Sequence, residues 1–392
     1  MTVRTPMEPI PGLSTRQRAF REEVRSLLTG PEVAAELAEL AARPPGEEPV
    51  LLEIYRTLGR RGLLAPGWPV EYGGLGLGPV ESAIVTEEMT LAGVPDDVHV
   101  LGVDLVGMFL LAEGSPEQKR EHLPALAAGE RVATVLFTEP GCGSDLSGLS
   151  TRAEPDGDGW RLHGSKVYNM KSQYGEIALC AARTSEGPVA MHGITLFLLP
   201  LRSPGVHVEP VPSMADECFG LVVIDGVRLG PEDVVGRLDD GWRLMNELLQ
   251  LERTGIDFHG KARRLLDLVM ERAVRAGRLD DPVFAVRFAE LDARLRASHA
   301  LAWEMVHNLD LGAPDPVASA MSKWYASEQF RPILDTGSEV DGVDSQLTRW
   351  DERAGSTSRF EADYRMAPAQ RLASGTSEVM LYLIATNGLG ML

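Results

Sequence analysis

The sequence predicts a mainly α-helical fold with a central antiparallel β domain. Apolar residues recur at helical spacing over roughly the first third of the chain, short β-forming runs separated by turn residues follow, and helical spacing returns after Asp239-Asp240-Gly241. The length of 392 residues suits two or three domains, since domains commonly hold about 100–200 residues. We expect an N-terminal all-α domain over 1–132, a middle β domain over 133–238 and a C-terminal helical bundle over 239–392.

Six segments of the N-terminal part show the apolar spacing of helices. They are Thr15–Leu28, Pro31–Leu40, Leu51–Leu58, Glu81–Leu91, Leu101–Leu111 and Pro116–Ala128. Proline residues interrupt the pattern before Leu51, and the glycine-rich stretch 67–76 predicts a structured loop.

The middle of the chain holds runs of β-forming residues with no helical pattern between them. They are Val132–Phe137, Trp160–His163, Ile177–Ala181, Ile194–Leu199, Val206–Val211 and Leu221–Val227. Consecutive strands without intervening helices favour antiparallel pairing. In the C-terminal part, helical spacing continues to the end, apart from predicted loops at Gly277–Pro282, Gly312–Pro316 and Gly337–Thr357.

The composition excludes several classes of function. The net charge of −19 argues against nucleic acid or an anionic membrane as a partner, because both attract clustered Lys and Arg. The three cysteines form no CxxC pair and the histidines show no HExxH spacing, so we expect no disulfide framework and no metal site. With neither a signal peptide nor an apolar stretch long enough to span a membrane, a soluble cytoplasmic protein is expected.

Two segments combine glycine with hydroxyl residues. The run from Leu136 to Asp145 (LFTEPGCGSD) follows a predicted strand, and such a loop can approach a planar or anionic ligand closely. The run Gly375-Thr376-Ser377-Glu378 opens the last helical pattern, where free N–H groups favour a phosphate. A plain hairpin connection and ordinary helix capping are the alternative interpretations. Tyr168, at the end of a strand pattern, suits either ring stacking or a core position.

A carboxylate on the apolar stripe of one helix is the strongest catalytic candidate. The stripe that begins at Trp242 and Met245 leads to Glu252, and Ile256 continues it four residues later. Burial on such a stripe would raise the pKa of a carboxyl group and suit it to act as a base. The alternative is that the stripe ends there and Glu252 pairs with an arginine such as Arg253 at the surface.

Together these segments resemble the acyl-CoA dehydrogenase family over essentially the whole chain. The matching runs are Trp68–Gly74, Thr138–Asp145, Leu251-Glu252-Arg253 and Gly375–Glu378, followed by Gly388-Leu389-Gly390. The resemblance implies an α-helical N-terminal domain, a β-barrel middle domain and a C-terminal four-helix bundle, with FAD held between the last two. It also implies an oxidoreductase of the EC 1.3 class in fatty acid or lipid metabolism, in which a glutamate removes the α-proton of a thioester and a hydride passes to flavin N5.

The resemblance assigns expected roles to individual residues. Phe137, Thr138, Gly143 and Ser144 look like flavin-facing residues, and Ser144 also resembles a residue near the acyl-CoA. Tyr168 matches a tryptophan that flanks the flavin.

Further matches concern the cofactor's ADP half and the substrate. Thr376 and Glu378 resemble residues that contact the ADP half, and Arg253 is similar to an arginine that shapes the substrate site. Asn169 and Met170 stand where the family usually has a hydroxyl residue that bonds flavin N5.

The chain also departs from the family pattern. Many members place the catalytic glutamate where this chain has Ser374, whereas a minority place it where this chain has Glu252, so Glu252 is the predicted base. Met170 cannot donate a hydrogen bond. An Arg-x-x-Phe-Gly segment that contacts a neighbouring subunit's FAD is missing, with Arg272 or Arg275 as substitutes.

These observations leave three functions open. The first is FAD-dependent dehydrogenation of an acyl-CoA or acyl-carrier thioester, with an electron-transfer flavoprotein as acceptor, by a homotetramer, a homodimer or a heteromer with a homologous chain. The second is a catalytically reduced or inert structural subunit of such a heteromer. The third is a flavin-dependent oxidase or monooxygenase on the same fold.

Overall fold

The computed structural model describes residues 10–44, 50–252, 254–348, 350–351, 353 and 360–391, except for the side chains of Leu248, Gln250, Leu251 and Glu252. Within these ranges the helix–sheet–helix order predicted from the sequence is confirmed. No helix of the described ranges combines the length and the apolar character that crossing a membrane requires.

The N-terminal part is helical throughout. Its helices are α1 (Thr15–Leu28), α2 (Pro31–Ala42), α3 (Glu53–Arg60), α4 (Pro79–Ala92), α5 (Asp97–His99), α6 (Met108–Glu113) and α7 (Pro116–Ala127). Ser14 begins α1 with a capping box, because its side chain accepts a hydrogen bond from the Gln17 backbone and the Gln17 side chain bonds back. Between α5 and α6 the chain forms a π-helix over Val100–Gly107, a wider winding than the predicted ordinary helix.

The middle part forms one predominantly antiparallel sheet. Its strands are β1 (Ala133–Leu136), β2 (Arg152–Asp156), β3 (Gly159–Asn169), β4 (Ile177–Arg183), β5 (Ile194–Pro200), β6 (Val206–Pro212), β7 (Cys218–Leu229) and β8 (Val234–Val235). The order is β6-β7-β3-β2-β4-β5-β8, and β1 pairs with β4.

Three features of the sheet differ from the sequence prediction. The β1–β4 pair is parallel, because the loop and hairpin between them return the chain to the same end. β2 was missed because Pro155 and its charged residues weaken the β pattern. β8 holds only two residues, too few for a periodic signal.

The C-terminal part returns to helices. They are α8 (Gly241–Glu252), α9 (Ile256–Arg275), α10 (Pro282–Asp310), α11 (Pro316–Ser327), α12 (Phe330–Asp341), α13 (Phe360–Leu372) and α14 (Ser377–Leu383). The predicted loop start at Gly337 is wrong, since α12 continues to Asp341; there Gly337 lets the Phe360 ring approach. The predicted stripe from Glu252 to Ile256 is also interrupted, because Ile256 begins a new helix.

Candidate active site

The helix that carries the predicted base is fixed by its apolar face. Leu244 and Met245 of α8 are buried, and Trp242 and Leu249 pack against the same core as the N-terminal helices. The backbone places Glu252 at the last residue of α8. The Glu252 side chain and Arg253 lie outside the described residues, so their predicted roles stay predictions.

A sharp junction joins α8 to α9 directly after the predicted base. Gly255 adopts φ +77°, a conformation that glycine reaches at little cost. The Ser322 hydroxyl of α11 donates a hydrogen bond to the Thr254 carbonyl at 2.6 Å. A Cβ on Gly255 would lie 2.4 Å from Ser322 Oγ, so this contact requires glycine.

The next residue of α11, Lys323, holds the segment of Ser374, which the resemblance gave as the other position for a base. Lys323 is fully buried, and its Nζ donates to the carbonyls of Gly375 at 2.7 Å and Gln370 at 3.3 Å. Ser374 adjoins this contact with φ +53°. Ser322 and Lys323 therefore anchor the end of the α8 segment and the Ser374 segment to one turn of one helix, which the sequence spacing alone did not reveal.

The loop after β1 is shaped by its own backbone and by β3. Glu139 and Cys142 exchange backbone hydrogen bonds of 2.9 and 3.1 Å, and the Thr138 carbonyl accepts a hydrogen bond from the Val167 N–H at 2.9 Å. Asp145 closes the loop by accepting from the Ser147 N–H. The loop is thus a fixed turn that joins β1 to the rest of the sheet.

Inside this turn lies a buried ion pair that the sequence analysis missed. Glu139 Oε1 is 2.8 Å from Lys166 Nζ, and both side chains are almost completely buried. The carboxylate also accepts backbone hydrogen bonds from Ser150 and Thr151. Although burial by itself raises the pKa of Glu139, the Lys166 charge and these donors lower it to about 2. Glu139 is therefore a structural anion, and its signal was the TEPG motif itself.

The outer side of the same turn is open. A Cβ added to Gly141 or Gly143 would meet no atom within 4 Å, and Ser144 is exposed. None of the described residues accepts a hydrogen bond from the backbone N–H of Gly143 or Ser144. Phe137 is buried at the start of the turn, with its ring edge-on to Phe109 at 6.2 Å. The open glycine surface and unpaired donors fit a flat, hydrogen-bonding group such as a flavin.

The predicted flavin-flanking residues occupy a strained turn after β3. Tyr168 has φ +60°, a rare conformation for an aromatic residue, and its side chain is 63% exposed. The Asn169 side chain is buried and donates to the Gly220 carbonyl at 3.3 Å. The Met170 carbonyl accepts from Thr134 Oγ1 at 2.7 Å. The Tyr168 side chain is therefore free to cover a ring, whereas the Asn169 side chain is engaged within the sheet.

An ionic network fixes this turn to α5 and to the segment directly before β7. Lys171 Nζ lies 3.0 Å from Glu217 and 3.3 Å from Asp97 of α5. Although burial by itself lowers the pKa of Lys171, these two carboxylates raise it above its usual value. One residue before Asp97, Asp96 pairs with Lys261 of α9 at 2.7 Å. Burial raises the pKa of Asp96 to about 6.

The predicted ADP-contacting residues lie at the start of α14. The Thr376 hydroxyl accepts a hydrogen bond from the Val379 N–H, so it caps the helix as ordinary capping predicts. Glu378 is exposed, and its own backbone N–H together with Thr376 lowers its pKa. Their predicted contacts with a cofactor stay predictions.

The predicted arginine substitutes differ in availability. Arg272 pairs with Asp341 at 3.0 Å and covers the Phe360 ring at 5.2 Å, so it is engaged within its own chain. Arg275, at the end of α9, is exposed.

Comparison with known proteins identifies the family. The N-terminal, middle and C-terminal domain models of acyl-CoA dehydrogenases match residues 14–130, 134–225 and 239–389 respectively. The chain is 32% identical to "Acyl-CoA dehydrogenase IpdE1" of Mycobacterium tuberculosis over 382 residues, which cover 95% of this chain and 97% of that protein.

Solved structures agree with this assignment. A structure described as "Tcur3481-Tcur3483 steroid ACAD" has a TM-score of 0.86 at 28% identity and covers 97% of this chain and 98% of its own. The ChsE4-ChsE5 complex from Mycobacterium tuberculosis has a TM-score of 0.82 at 27% identity, covering 98% of this chain and 99% of its own. The chain therefore belongs to the acyl-CoA dehydrogenase family of FAD-dependent oxidoreductases.

Proposed function

We propose that this chain catalyses α,β-dehydrogenation of an acyl-CoA or acyl-carrier thioester with Glu252 as the base. Family membership supports acyl-CoA dehydrogenation in general. The observation that carries the specific proposal is the end of α8, where Glu252 precedes the Gly255 junction held by Ser322. The only alternative position of a base in the family pattern holds Ser374, which has no carboxylate.

The chain's residues would divide the work as follows. Glu252 takes the α-proton from the thioester, since a base near a weakly acidic carbon must be positioned and poorly solvated. The open turn at Gly143 and Ser144 and the exposed Tyr168 ring hold the flavin. The bound FAD would supply the acceptor for the hydride that leaves the β-carbon. Thr376 and Glu378 at the start of α14 are proposed to contact the ADP half, and Arg253 to border the thioester.

Substitution of Glu252 by glutamine tests the proposal. General bases contribute about 100- to 10,000-fold to rate, so Glu252→Gln should abolish anaerobic bleaching of the flavin by a thioester that bleaches the wild type. Glu247→Gln is the matched control, because Glu247 is an exposed residue of the same helix that pairs with Arg243. If both variants retain FAD, their flavin absorption spectra should be the same as that of the wild type.

A second substitution restores the base at the other position. In the Glu252→Gln, Ser374→Glu double variant a carboxylate stands on the segment that Lys323 anchors beside α11. We expect partial recovery of turnover, limited by the φ of +53° at residue 374, which disfavours a glutamate. Full activity of Glu252→Gln alone would reject Glu252 as the base.

We propose as a second candidate that the chain works as one subunit of a heteromer with a homologous chain. Two of the similar structures are described as pairs of chains, and the engaged Arg272 supports a site completed by another subunit. Native mass spectrometry of the chain, alone and coexpressed with a homologous neighbour, tests this. Full FAD occupancy and turnover in the isolated chain would reject the candidate. In either form an electron-transfer flavoprotein is the expected acceptor.

A further inference from the structure

The helical wall formed by Val100–Gly107 and the start of α6 carries one carboxylate on a half-buried stripe. Val100, Asp104 and Met108 are spaced four residues apart and are all partly exposed, whereas Val103, Leu105 and Val106 are buried. The wall packs against β1, which leads into the open turn, and against α8, which ends at Glu252. Asp104 therefore interrupts an otherwise apolar surface.

Asp104 lies near enough to the junction after the predicted base for a charge of that junction to act on its carboxyl group. Burial raises the pKa of the Asp104 carboxyl; His99 opposes this rise, and the charge of Asp257, in the first turn of α9, adds to it. Asp257 lies five residues beyond Glu252 in the chain. The helical wall that carries Asp104 packs against α8, whose last residue is the proposed base.

The carboxyl group lacks a hydrogen-bond donor. Among the residues described by the structure, none donates a hydrogen bond to Asp104, although His99 Nδ1 lies 3.5 Å from its Oδ2. The Asp104 side chain keeps 32% of its surface exposed, so it is neither satisfied internally nor freely solvated. Such a group gains most from a donor that a bound molecule brings.

His99 supports this arrangement from the buried side. Its Nε2 lies 2.8 Å from the Leu64 carbonyl, which can only accept, so Nε2 carries the proton. In the neutral ring Nδ1 then has a free lone pair. His99 is 4% exposed, and its Nδ1 has no hydrogen-bond partner within the described ranges. With this neutral ring, Asp104 and His99 together present two acceptor sites and no donor.

We infer that Asp104, backed by His99, is a specificity-determining residue that selects thioesters whose acyl group carries a hydroxyl. A hydroxyl supplies the missing donor. An acyl group that ends in a second carboxylate is disfavoured, because Asp104 and Asp257 would repel it. A plain hydrocarbon leaves Asp104 desolvated without a partner. The inference rests on the proposed function, since it assumes that the acyl group lies along this wall.

The experiment compares matched substrates in matched variants. Purified holoenzyme is assayed with a series of straight-chain acyl-CoA thioesters and with their terminally hydroxylated and terminally carboxylated counterparts. The wild type should prefer the hydroxylated member at one length by about tenfold in kcat/KM, the value of one hydrogen bond to a charged group. Asp104→Leu should remove this preference, and Asp104→Asn should keep it while accepting the carboxylated thioester better.

Met108→Leu is the control for altered packing of the same stripe and should keep the preference ratio. Circular dichroism and flavin absorbance verify that each variant is folded. A wild type with no preference for hydroxylated thioesters, or equal loss of preference in Asp104→Leu and Met108→Leu, would overturn the inference.

Calorimetric titration with the same thioesters separates this inference from the proposed function. If no thioester is turned over but the wild type still binds the hydroxylated member about tenfold more tightly, and Asp104→Leu does not, the proposed reaction fails and the role of Asp104 stands. If the plain thioesters are turned over and bind as well as the hydroxylated ones, the reaction stands and the role of Asp104 fails. Absence of any thioester binding overturns both.

Discussion

The ion pair between Lys166 and Glu139 places two opposite charges in the interior of the β domain. Lys166 also donates to the Phe137 carbonyl, so one ammonium group fixes the start and the middle of the open turn. Removing one partner of a buried ion pair lowers the free energy of unfolding by more than the intact pair contributes to it, because the other charge stays buried without compensation. The shape of the turn should therefore depend on Lys166.

We predict that Lys166→Met lowers the free energy of unfolding by about 3–5 kcal/mol and weakens FAD binding, because Glu139 is left uncompensated beneath the turn. Urea denaturation and flavin titration measure the two effects. Arg161→Met is the control, since Arg161 pairs with Asp156 at the surface and should cost less than about 1 kcal/mol. Similar losses in both variants would contradict the structural role of Lys166.

At the scale of single residues, the sequence singled out the loop after β1 but not how its side chains are used. The run around Gly143 is an open turn with the exposed glycines that were expected. The partner of Glu139, however, is 27 residues away on another strand. Pairing across such a separation leaves no periodic signal, and so Glu139 could not be separated from a ligand-binding carboxylate.

The junction between α8 and α9 is the element whose geometry matters most for the proposed base. It depends on Gly255, whose positive φ turns the chain, and on Ser322, which lies against it. A side chain at residue 255 would displace either the end of α8 or α11.

We predict that Gly255→Ala destabilises the protein by about 2–4 kcal/mol, because a left-handed backbone costs a non-glycine residue about 1–2 kcal/mol and the Cβ also meets Ser322. The turnover rate should fall by more than the loss of folded protein alone would cause. Gly277→Ala is the matched control: its φ is +65° but no atom lies within 4 Å of the added Cβ. Thermal unfolding and steady-state kinetics compare the variants. Equal effects would show that contact with Ser322 is unimportant.

The sequence predicted α8 but not its end. The apolar spacing from Trp242 continues through Ile256, so periodicity alone indicates one helix. Gly255 was the local signal for a break. Its requirement for glycine arises from Ser322 of α11, a helix that begins only at Pro316, and such a contact exists only in the folded chain.

Across the whole molecule, a buried polar network joins the N-terminal and C-terminal helical domains. Glu87 of α4 pairs with Arg21 at 2.9 Å and with His299 at 3.0 Å, and it accepts from the Trp303 indole. His259 of α9 completes the network. The atoms of Glu87, His259 and His299 that could bind a metal ion lie within 4.8 Å of one another. Because Arg21 already neutralises Glu87, we interpret the cluster as a structural network.

The network makes stability depend on pH. Burial lowers the pKa of His259 to about 3, whereas an unfolded histidine has a pKa near 6.5. Between these values the unfolded chain binds a proton that the folded chain does not, so stability falls as the pH decreases from about 6.5 towards 3. For Glu87, burial raises the pKa but His299 and Arg21 lower it to about 2, so its contribution is lost only as the pH falls from about 4.5 through 2.

We predict a loss on the order of 2–4 kcal/mol of stability between pH 7 and pH 4 through His259. His259→Gln should be less stable at neutral pH but show a shallower dependence on acid. His207→Asn is the control, because His207 is exposed on β6 and should leave the slope unchanged. Urea denaturation across the pH range measures the free energy of unfolding. If His259→Gln shows the same dependence on pH as the wild type, the role of His259 is contradicted.

The order of the three parts was predictable because each has its own periodicity, and the bounds of α1 were predicted correctly. The network was not predictable, since Arg21, Glu87 and His259 come from three helices far apart in the chain. Each of them looks locally like a surface residue of an amphipathic helix.

Exchange of the thioester α-proton with solvent tests the central claim most directly. In deuterium oxide, anaerobic wild-type protein should introduce deuterium at the α-carbon of an acyl-CoA that it binds, because a base that removes the proton also returns one. Glu252→Gln should bind the same thioester and show exchange reduced by about 100-fold or more, whereas Glu247→Gln should exchange at the wild-type rate. Wild-type exchange in Glu252→Gln would contradict the account.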